Sequence, residues 1–212
     1  MSRVSTGHLA GWPLVGWCSL ALLGMTAAIL AWNGTGEAGS RVLIRASAQT
    51  SFVLFMSAFC ASALCRTYPT GLTRWMLTNR RYLGVSFAVS HFIHLAAILT
   101  LARTSAEFAN QLNATTIIGG GGAYVFIALM TATSFDRSAA WLGPRAWKRL
   151  HTIGIYYIWT IFFVSYLPRA IIESPAYAPF VIVQLTGVAI RAYARFRRRE
   201  ITRHPSLVTD SK

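Results

Sequence analysis

Six long apolar blocks constrain the fold of this chain more than any other feature. A helix of about 20 residues spans the roughly 30 Å hydrocarbon core of a bilayer, and each block is close to that length. Only 12% of the 212 residues are charged, whereas charged residues make up about 25% of a typical soluble domain. The pattern predicts an all-α membrane protein, a six-transmembrane-helix bundle. The predicted spans are 11–32, 42–65, 83–102, 115–135, 150–167 and 176–192.

The first block is predicted to be a retained helix, because no small-residue cleavage site follows it closely. The loops are short, and the sequence contains neither a dinucleotide fingerprint nor a P-loop. We therefore predict a single transmembrane domain over 1–212, ending in a basic tail at 193–212. The tail is interpreted as a contact for anionic lipid or a partner, or as an ordinary stop-transfer cluster.

The net charge of +14 follows membrane topology and does not indicate nucleic-acid binding. Arginine and lysine collect in alternate loops, as the positive-inside rule predicts. Both termini are therefore expected in the cytoplasm. The basic residues of that side are Arg3, Arg66, Arg74, Arg80, Arg81, Arg137, Arg145, Lys148, Arg149, Arg191, Arg195, Arg197, Arg198, Arg199, Arg203 and Lys212. Those of the opposite side are Arg41, Arg45, Arg103 and Arg169.

Three histidines are the candidate cofactor ligands. His91 and His94 lie three residues apart in the third span and share one helix face, and His151 opens the fifth span. Imidazole is a common axial ligand of haem iron, and helix bundles build cofactor sites from facing helices. The alternative is that each ring only forms a hydrogen bond between helices. The apolar blocks hold no carboxylate and no cysteine at ligand spacing, which favours haem over zinc or copper.

A run of four glycines, 119–122, stands near the start of the fourth span. Glycine lets a backbone approach a flat cofactor or another helix closely. Both interpretations remain open from the sequence.

Three stretches of the chain resemble the ferric reductase-like transmembrane family. Residues 80–84 read RRYLG, with His94 ten residues beyond the glycine; residues 132–134 read ATS; and residues 142–151 read LGPRAWKRLH. The resemblance extends from about Arg45 to Tyr166, and the family core would cover about 42–192.

The resemblance implies haem b, one or two, held by histidines of the third and fifth spans, with His94 and His151 as axial iron ligands and His91 in reserve. It also implies electron transfer across a bacterial inner membrane. The donor would be a flavoprotein or quinone, and the acceptor a periplasmic reductase or another protein on the far side. No flavin domain is attached, so flavin would come from a partner.

The chain departs from the family pattern at Val164, where a second histidine of the fifth span is expected. The depths also differ, because His94 lies about 20 Å beyond Arg81 along a helix and His151 only about 3 Å beyond Arg149. Either the fifth helix begins deeper in the membrane than its charges suggest, or each histidine meets a different iron, or haem has been lost. A cofactor-free membrane scaffold is therefore the alternative to an electron-transfer subunit of an oxidoreductase.

Overall fold

The computed structural model describes residues 9–203, with side chains as far as residue 197. Every regular element in this range is helical, and it contains no strand. The α-helices are α1 (Trp12–Asn33), α2 (Glu37–Thr67), α3 (Gly71–Thr78), α4 (Arg80–Thr104), α5 (Ala106–Gln111), α6 (Ala114–Ala132), α7 (Asp136–Leu142), α8 (Pro144–Pro168) and α9 (Ala178–Arg203). A π-helical turn (Arg169–Glu173) and a 3-10 turn (Pro175–Tyr177) join α8 to α9.

The predicted six-span all-α architecture is confirmed. Helices α1, α2, α4, α6, α8 and α9 are long and apolar enough to cross a membrane. Large apolar side chains lie on the outside of these helices, as a lipid solvent requires and water would not favour. Examples are Trp17, Leu20, Leu23, Ile118, Val125 and Ile182.

The helices extend beyond the predicted spans. α8 begins at Pro144, six residues before the predicted start, and α9 continues through the basic stretch to Arg203. Proline is favourable in the first helical turn, because its missing N–H has no intrahelical partner there. Apolar blocks locate the part of a helix that lipid covers, so they do not predict where its polar ends stop. The rest of the predicted tail, 204–212, lies outside the described residues, as do residues 1–8.

The chain divides into two compact units. The first consists of residues up to Phe55 together with Arg81–Phe162, and the second of Met56–Arg80 and the chain from Phe163. The first unit therefore holds α1, the first half of α2, nearly all of α4, α5 to α7 and most of α8.

An antiparallel pair of helices, α2 and α4, carries a polar seam in the first unit. Ser47 of α2 contacts His94 of α4, and one turn later the Ser51 hydroxyl donates to Ser90 Oγ at 2.9 Å. Both Ser47 and Ser51 are fully buried. Small hydroxylated residues let transmembrane helices approach closely and bond across the interface.

A second antiparallel pair, α6 and α8, meets along the glycine run. A methyl group at Gly122 would lie 2.5 Å from the Tyr157 hydroxyl, and one at Gly119 would lie 3.5 Å from Ile161 Cδ1. Tyr157 also donates to the Gly119 carbonyl at 3.1 Å. Gly120 and Gly121 have no neighbour on that side. Helix packing therefore accounts for two of the four glycines.

The start of α1 is held by aromatic and charged residues near the ends of α4 and α6. The Trp12 ring stacks on Phe135 at 5.2 Å and meets Tyr82 edge-on at 5.5 Å. Arg81 donates to the Asp136 carboxylate at 2.6 Å. Most of α1 beyond this anchor is exposed, apart from buried Leu14 and Leu22.

In the second unit, α9 packs against the second half of α2. A methyl group at Gly187 would come within 2.7 Å of Met56 Cε and 2.9 Å of Cys60 Sγ, so this contact needs glycine. Near the other end of α9, Tyr166 stacks on Phe180 with ring centroids 4.6 Å apart.

Candidate functional site

His94 of α4 is oriented by the backbone of α2. Its Nδ1 lies 3.0 Å from the Ile44 carbonyl and 3.1 Å from Ser47 Oγ. A carbonyl can only accept, and Ser47 already donates to Leu43 O at 2.5 Å, so Nδ1 carries the proton shared by both acceptors. In the neutral ring with this tautomer, the other nitrogen, Nε2, carries the lone pair. Metal-binding histidines are commonly oriented in this way, through the nitrogen that does not bind the metal.

His91 lies beside His94 in a cluster of rings. Their ring centroids are 5.2 Å apart, and His91 is 5.0 Å from Tyr124 of α6, 5.3 Å from Phe87 and 5.7 Å from Phe162. His91 Nδ1 and the Tyr124 hydroxyl are both buried without a hydrogen-bond partner. Unpaired buried polar atoms are rare in native proteins and call for an explanation such as a bound group. The structure therefore brings together two of the three candidate histidines.

His151 lies in a different environment, at the point where α8 contacts the C-terminal end of α6. Its Nε2 is 3.1 Å from Thr133 Oγ1, and that hydroxyl donates to Leu129 O at 2.8 Å, so His151 Nε2 is the donor. The ring stacks on Trp147 at 4.2 Å, and the Trp147 indole donates to the Thr133 carbonyl at 3.0 Å. His151 is thus oriented through Nε2, and its lone pair is on Nδ1.

The two histidine environments lie at different levels along α6. His91 contacts Tyr124 and His151 contacts Thr133, nine residues further on, which is about 13 Å along a helix axis. Two imidazole nitrogens on one metal lie only about 4 Å apart, since each bond is about 2 Å. The helix α8 begins at Pro144, seven residues before His151, and the two levels along α6 are distinct. The residues that His91 and His151 contact on α6 are therefore too far apart for these two histidines to bind one metal ion.

Val164 marks the position where the family pattern places another histidine. Its side chain is 56% exposed. A histidine in this orientation would point outward and not into the buried interior. The chain therefore differs from the family pattern at Val164 in the orientation of the side chain as well as in residue type.

Sequence reasoning missed the residues that orient the histidines. Thr133 and Trp147 stand in the stretches that carry the family resemblance, but nothing in the sequence assigned them a contact with His151. Ser47 and Tyr124 were polar residues in apolar blocks, which is a weak signal, and only the packing of α2 and α6 places them next to His94 and His91.

The donor set fits a haem better than a bare metal ion. Among the described residues, no group of three or more His, Cys, Asp or Glu side chains could hold a metal ion. A haem brings four nitrogen ligands and needs only one or two from the protein. His94 would suit a haem ligand, because its ring is oriented by the Ile44 carbonyl and lies next to an aromatic cluster.

Comparisons with protein families, curated proteins and solved structures return no match. The case for a function therefore rests on the residues and on their geometry.

Proposed function

We propose that this chain is an integral membrane haem b protein that relays electrons across a bacterial inner membrane, with both termini in the cytoplasm. The observation that supports it best is the orientation of His94, whose Nδ1–H bonds to the Ile44 carbonyl and leaves Nε2 as the metal-binding nitrogen. Haem supplies one-electron chemistry, cycling between ferric and ferrous iron. The family resemblance at residues 80–84 and 142–151 points to the same function.

The residues around His94 have separate tasks in this proposal. Ile44 O and Ser47 Oγ fix the tautomer and the angle of the His94 ring. Phe87 and Phe162 keep water away from the His91 side of the cluster, and a dry surrounding shifts the iron potential. His91 is the reserve ligand, since its unpaired Nδ1 needs a partner. His151 would serve a second haem at its own level.

Electrons would come from a flavoprotein partner or a membrane quinone and pass to a reductase or other acceptor on the far side. The chain would then be the electron-transfer subunit of an oxidoreductase. Its proposed cofactor-binding residues are the three histidines His91, His94 and His151.

A cofactor-free membrane scaffold is the second candidate. His94 bonds between α4 and α2, and His151 bonds between α8 and the end of α6. His94 and His151 thus already make the interhelical hydrogen bonds that a purely structural histidine would make.

The visible absorption spectrum of the purified protein decides between the two candidates. The chain is produced with haem supplied during expression, purified in detergent, and measured before and after dithionite, with haem quantified per chain. We expect sharp bands of a low-spin haem in the reduced protein. His94→Ala should remove one haem, and His151→Ala should affect only a second one. His204→Ala, at a histidine beyond all predicted spans, is the matched control.

Two outcomes would contradict the proposal. A monodisperse protein that stays colourless with excess haem would leave the scaffold as the function. Equal haem loss in His94→Ala and in the His204→Ala control would show that these histidines are not the ligands.

A further inference from the structure

A shallow cavity of about 570 Å³ opens where α6 ends and α7 begins. Its lining consists of Ala132, Phe135, Arg137, Ser138 and Trp141. The rings of Phe135 and Trp141 are 47% and 87% exposed, and Arg137 is the one charged residue of the lining. Exposed apolar surface that is rimmed by polar groups marks a place where lipid, protein or a ligand binds.

The walls of the cavity are fixed by contacts within the first unit. The Phe135 ring stacks on the indole at the start of α1, with centroids 5.2 Å apart. The Ser138 hydroxyl donates to the Ala132 carbonyl, which ties α7 to the end of α6. Arg137 and Trp141 are four residues apart on α7, so their side chains are neighbours on one face of that helix. The cation and the indole are therefore presented together at the cavity.

The cavity lies at the level where the hydrocarbon core of a membrane ends. α6 has 19 residues and is apolar enough to cross a membrane. A helix of that length is about 28 Å long, close to the roughly 30 Å thickness of the hydrocarbon core. Because Ala132 is the last residue of α6, a cavity lined by Ala132 lies at the level of the lipid headgroups. Tryptophan is enriched at this level, since its ring is apolar and its N–H is polar.

An exposed apolar stripe on α6 leads from the cavity toward the middle of the span. Val125 and Leu129 are 59% and 47% exposed, and Ala132 is exposed as well. Their spacings of four and three residues place them on one face of the helix. An acyl chain can lie along this stripe while its headgroup stays at the cavity. A soluble ligand in the cavity would make no contact with such a stripe.

The charge that lines the cavity is positive. Its acidic neighbour in the chain, Asp136, accepts from Arg81 at 2.6 Å, so the charge of that carboxylate is compensated by another arginine. Arg137 itself is exposed. Guanidinium groups bind phosphate oxygens in a bidentate manner, with charge-assisted hydrogen bonds. The cavity therefore complements a phosphate group.

We propose that this cavity binds an anionic phospholipid, with the phosphate on Arg137, the glycerol region against Trp141 and one acyl chain along the α6 stripe. A cation and an indole at the headgroup level, next to an apolar stripe, match the parts of such a lipid. An anionic headgroup is favoured over a zwitterionic one, because Arg137 repels the ammonium group of the latter. The site shares no residue with the histidine environments, so it does not rest on haem binding.

Native mass spectrometry of the detergent-solubilised full chain tests the proposal, because one spectrum reports both bound lipid and oligomeric state. The probes are phosphatidylglycerol, phosphatidylcholine with the same acyl chains, and inorganic phosphate as a competitor. We expect one phosphatidylglycerol to be retained in preference to phosphatidylcholine. Arg137→Gln should weaken that affinity about five- to tenfold, because it removes the charge-assisted hydrogen bonds to the phosphate. Trp141→Ala should also weaken it, because it removes the apolar wall of the cavity.

Each variant has a matched control. Arg145→Gln is the control for the charge, because Arg145 is an exposed arginine in the first turn of α8 that lies outside the lining of the cavity. Trp17→Ala is the control for the indole, because Trp17 is a 55% exposed residue of α1. Both controls should change the affinity less than about twofold. All four positions are exposed, so none of the changes should prevent folding.

Four results would overturn the proposal. Equal weakening by Arg137→Gln and Arg145→Gln would show a diffuse basic surface without a defined site. Equal retention of the two lipids would show no headgroup selectivity. Displacement by inorganic phosphate at the lipid's own concentration would show a site for a free anion. A dimer that Trp141→Ala dissociates, with lipid retention unchanged, would show that a second copy of the chain covers the cavity.

None of these measurements requires haem. A failure of the lipid site would therefore leave the proposed electron transfer untouched, and the absence of haem would leave the lipid site untouched.

Discussion

Adding one methyl group to the α6–α8 interface should destabilise the protein, whereas the same change one residue earlier should not. A Cβ atom at Gly122 would lie 2.5 Å from the Tyr157 hydroxyl and 3.0 Å from its Cζ. At Gly121 nothing lies within 4 Å. The pair Gly122→Ala and Gly121→Ala therefore separates packing from helix propensity.

The magnitude follows from the terms that differ between the two variants. Both gain about 1 kcal/mol of helix propensity when glycine is replaced by alanine, and this cancels in the comparison. Overpacking a close contact costs about 1–3 kcal/mol. Moving Tyr157 also weakens its bond to the Gly119 carbonyl, and such bonds in membrane proteins average about 0.6 kcal/mol. We expect Gly122→Ala to be about 2 kcal/mol less stable than Gly121→Ala.

Thermal unfolding of the detergent-purified variants, followed by tryptophan fluorescence, measures the difference. For a chain of this size, 2 kcal/mol corresponds to a Tm difference of about 4–8 °C. Tyr157→Phe removes the atom nearest to the new methyl group, so the double variant with Gly122→Ala should recover part of the loss. Equal Tm values for Gly122→Ala and Gly121→Ala would refute the reasoning, because the two sites would then be equally open.

Two further substitutions test other contacts by the same unfolding measurement. Gln184→Met should raise Tm by a few degrees, because Gln184 is fully buried with both amide atoms unpaired. An unsatisfied buried polar group costs about 1–3 kcal/mol. A lower Tm in this variant would show that the amide has a partner such as buried water. Gly39→Ala should destabilise the turn between α1 and α2 by about 1–3 kcal/mol, because the new methyl group would overlap the Gly34 backbone carbonyl. Gly36→Ala is its control, since that position is open, and similar losses in both variants would argue against a specific overlap.

The number of membrane spans was predictable from the sequence because lipid imposes a one-dimensional rule. Each spanning helix must present about 20 mostly apolar residues, whatever its neighbours are. The helix ends were less predictable. Arg145, Lys148 and Arg149 placed the predicted start of the fifth span at residue 150, yet the helix itself starts at Pro144. A helix continues past the hydrocarbon region as long as its backbone bonds are satisfied.

The histidines of the candidate site were predictable from the sequence, whereas the residues that contact them were not. The spacing of His91 and His94 already places them on one face, since residues three apart are neighbours on a helix. Their contacts with Tyr124 and Ser47 depend on how α6 and α2 pack beside α4. The sequence carries little direct signal for such pairs, which lie more than thirty residues apart.

Sequence alone determined that this chain has six helices long and apolar enough to cross a membrane and that its candidate histidines lie on α4 and α8, because solvent polarity acts on each segment separately. Tertiary structure alone decided that His91 and His151 contact α6 at positions nine residues apart, about 13 Å along its axis. The physical reason is that packing sets which helix faces meet and at what height. Small residues such as Gly122 and Gly187 determine which helix faces meet, because they permit two helices to approach closely.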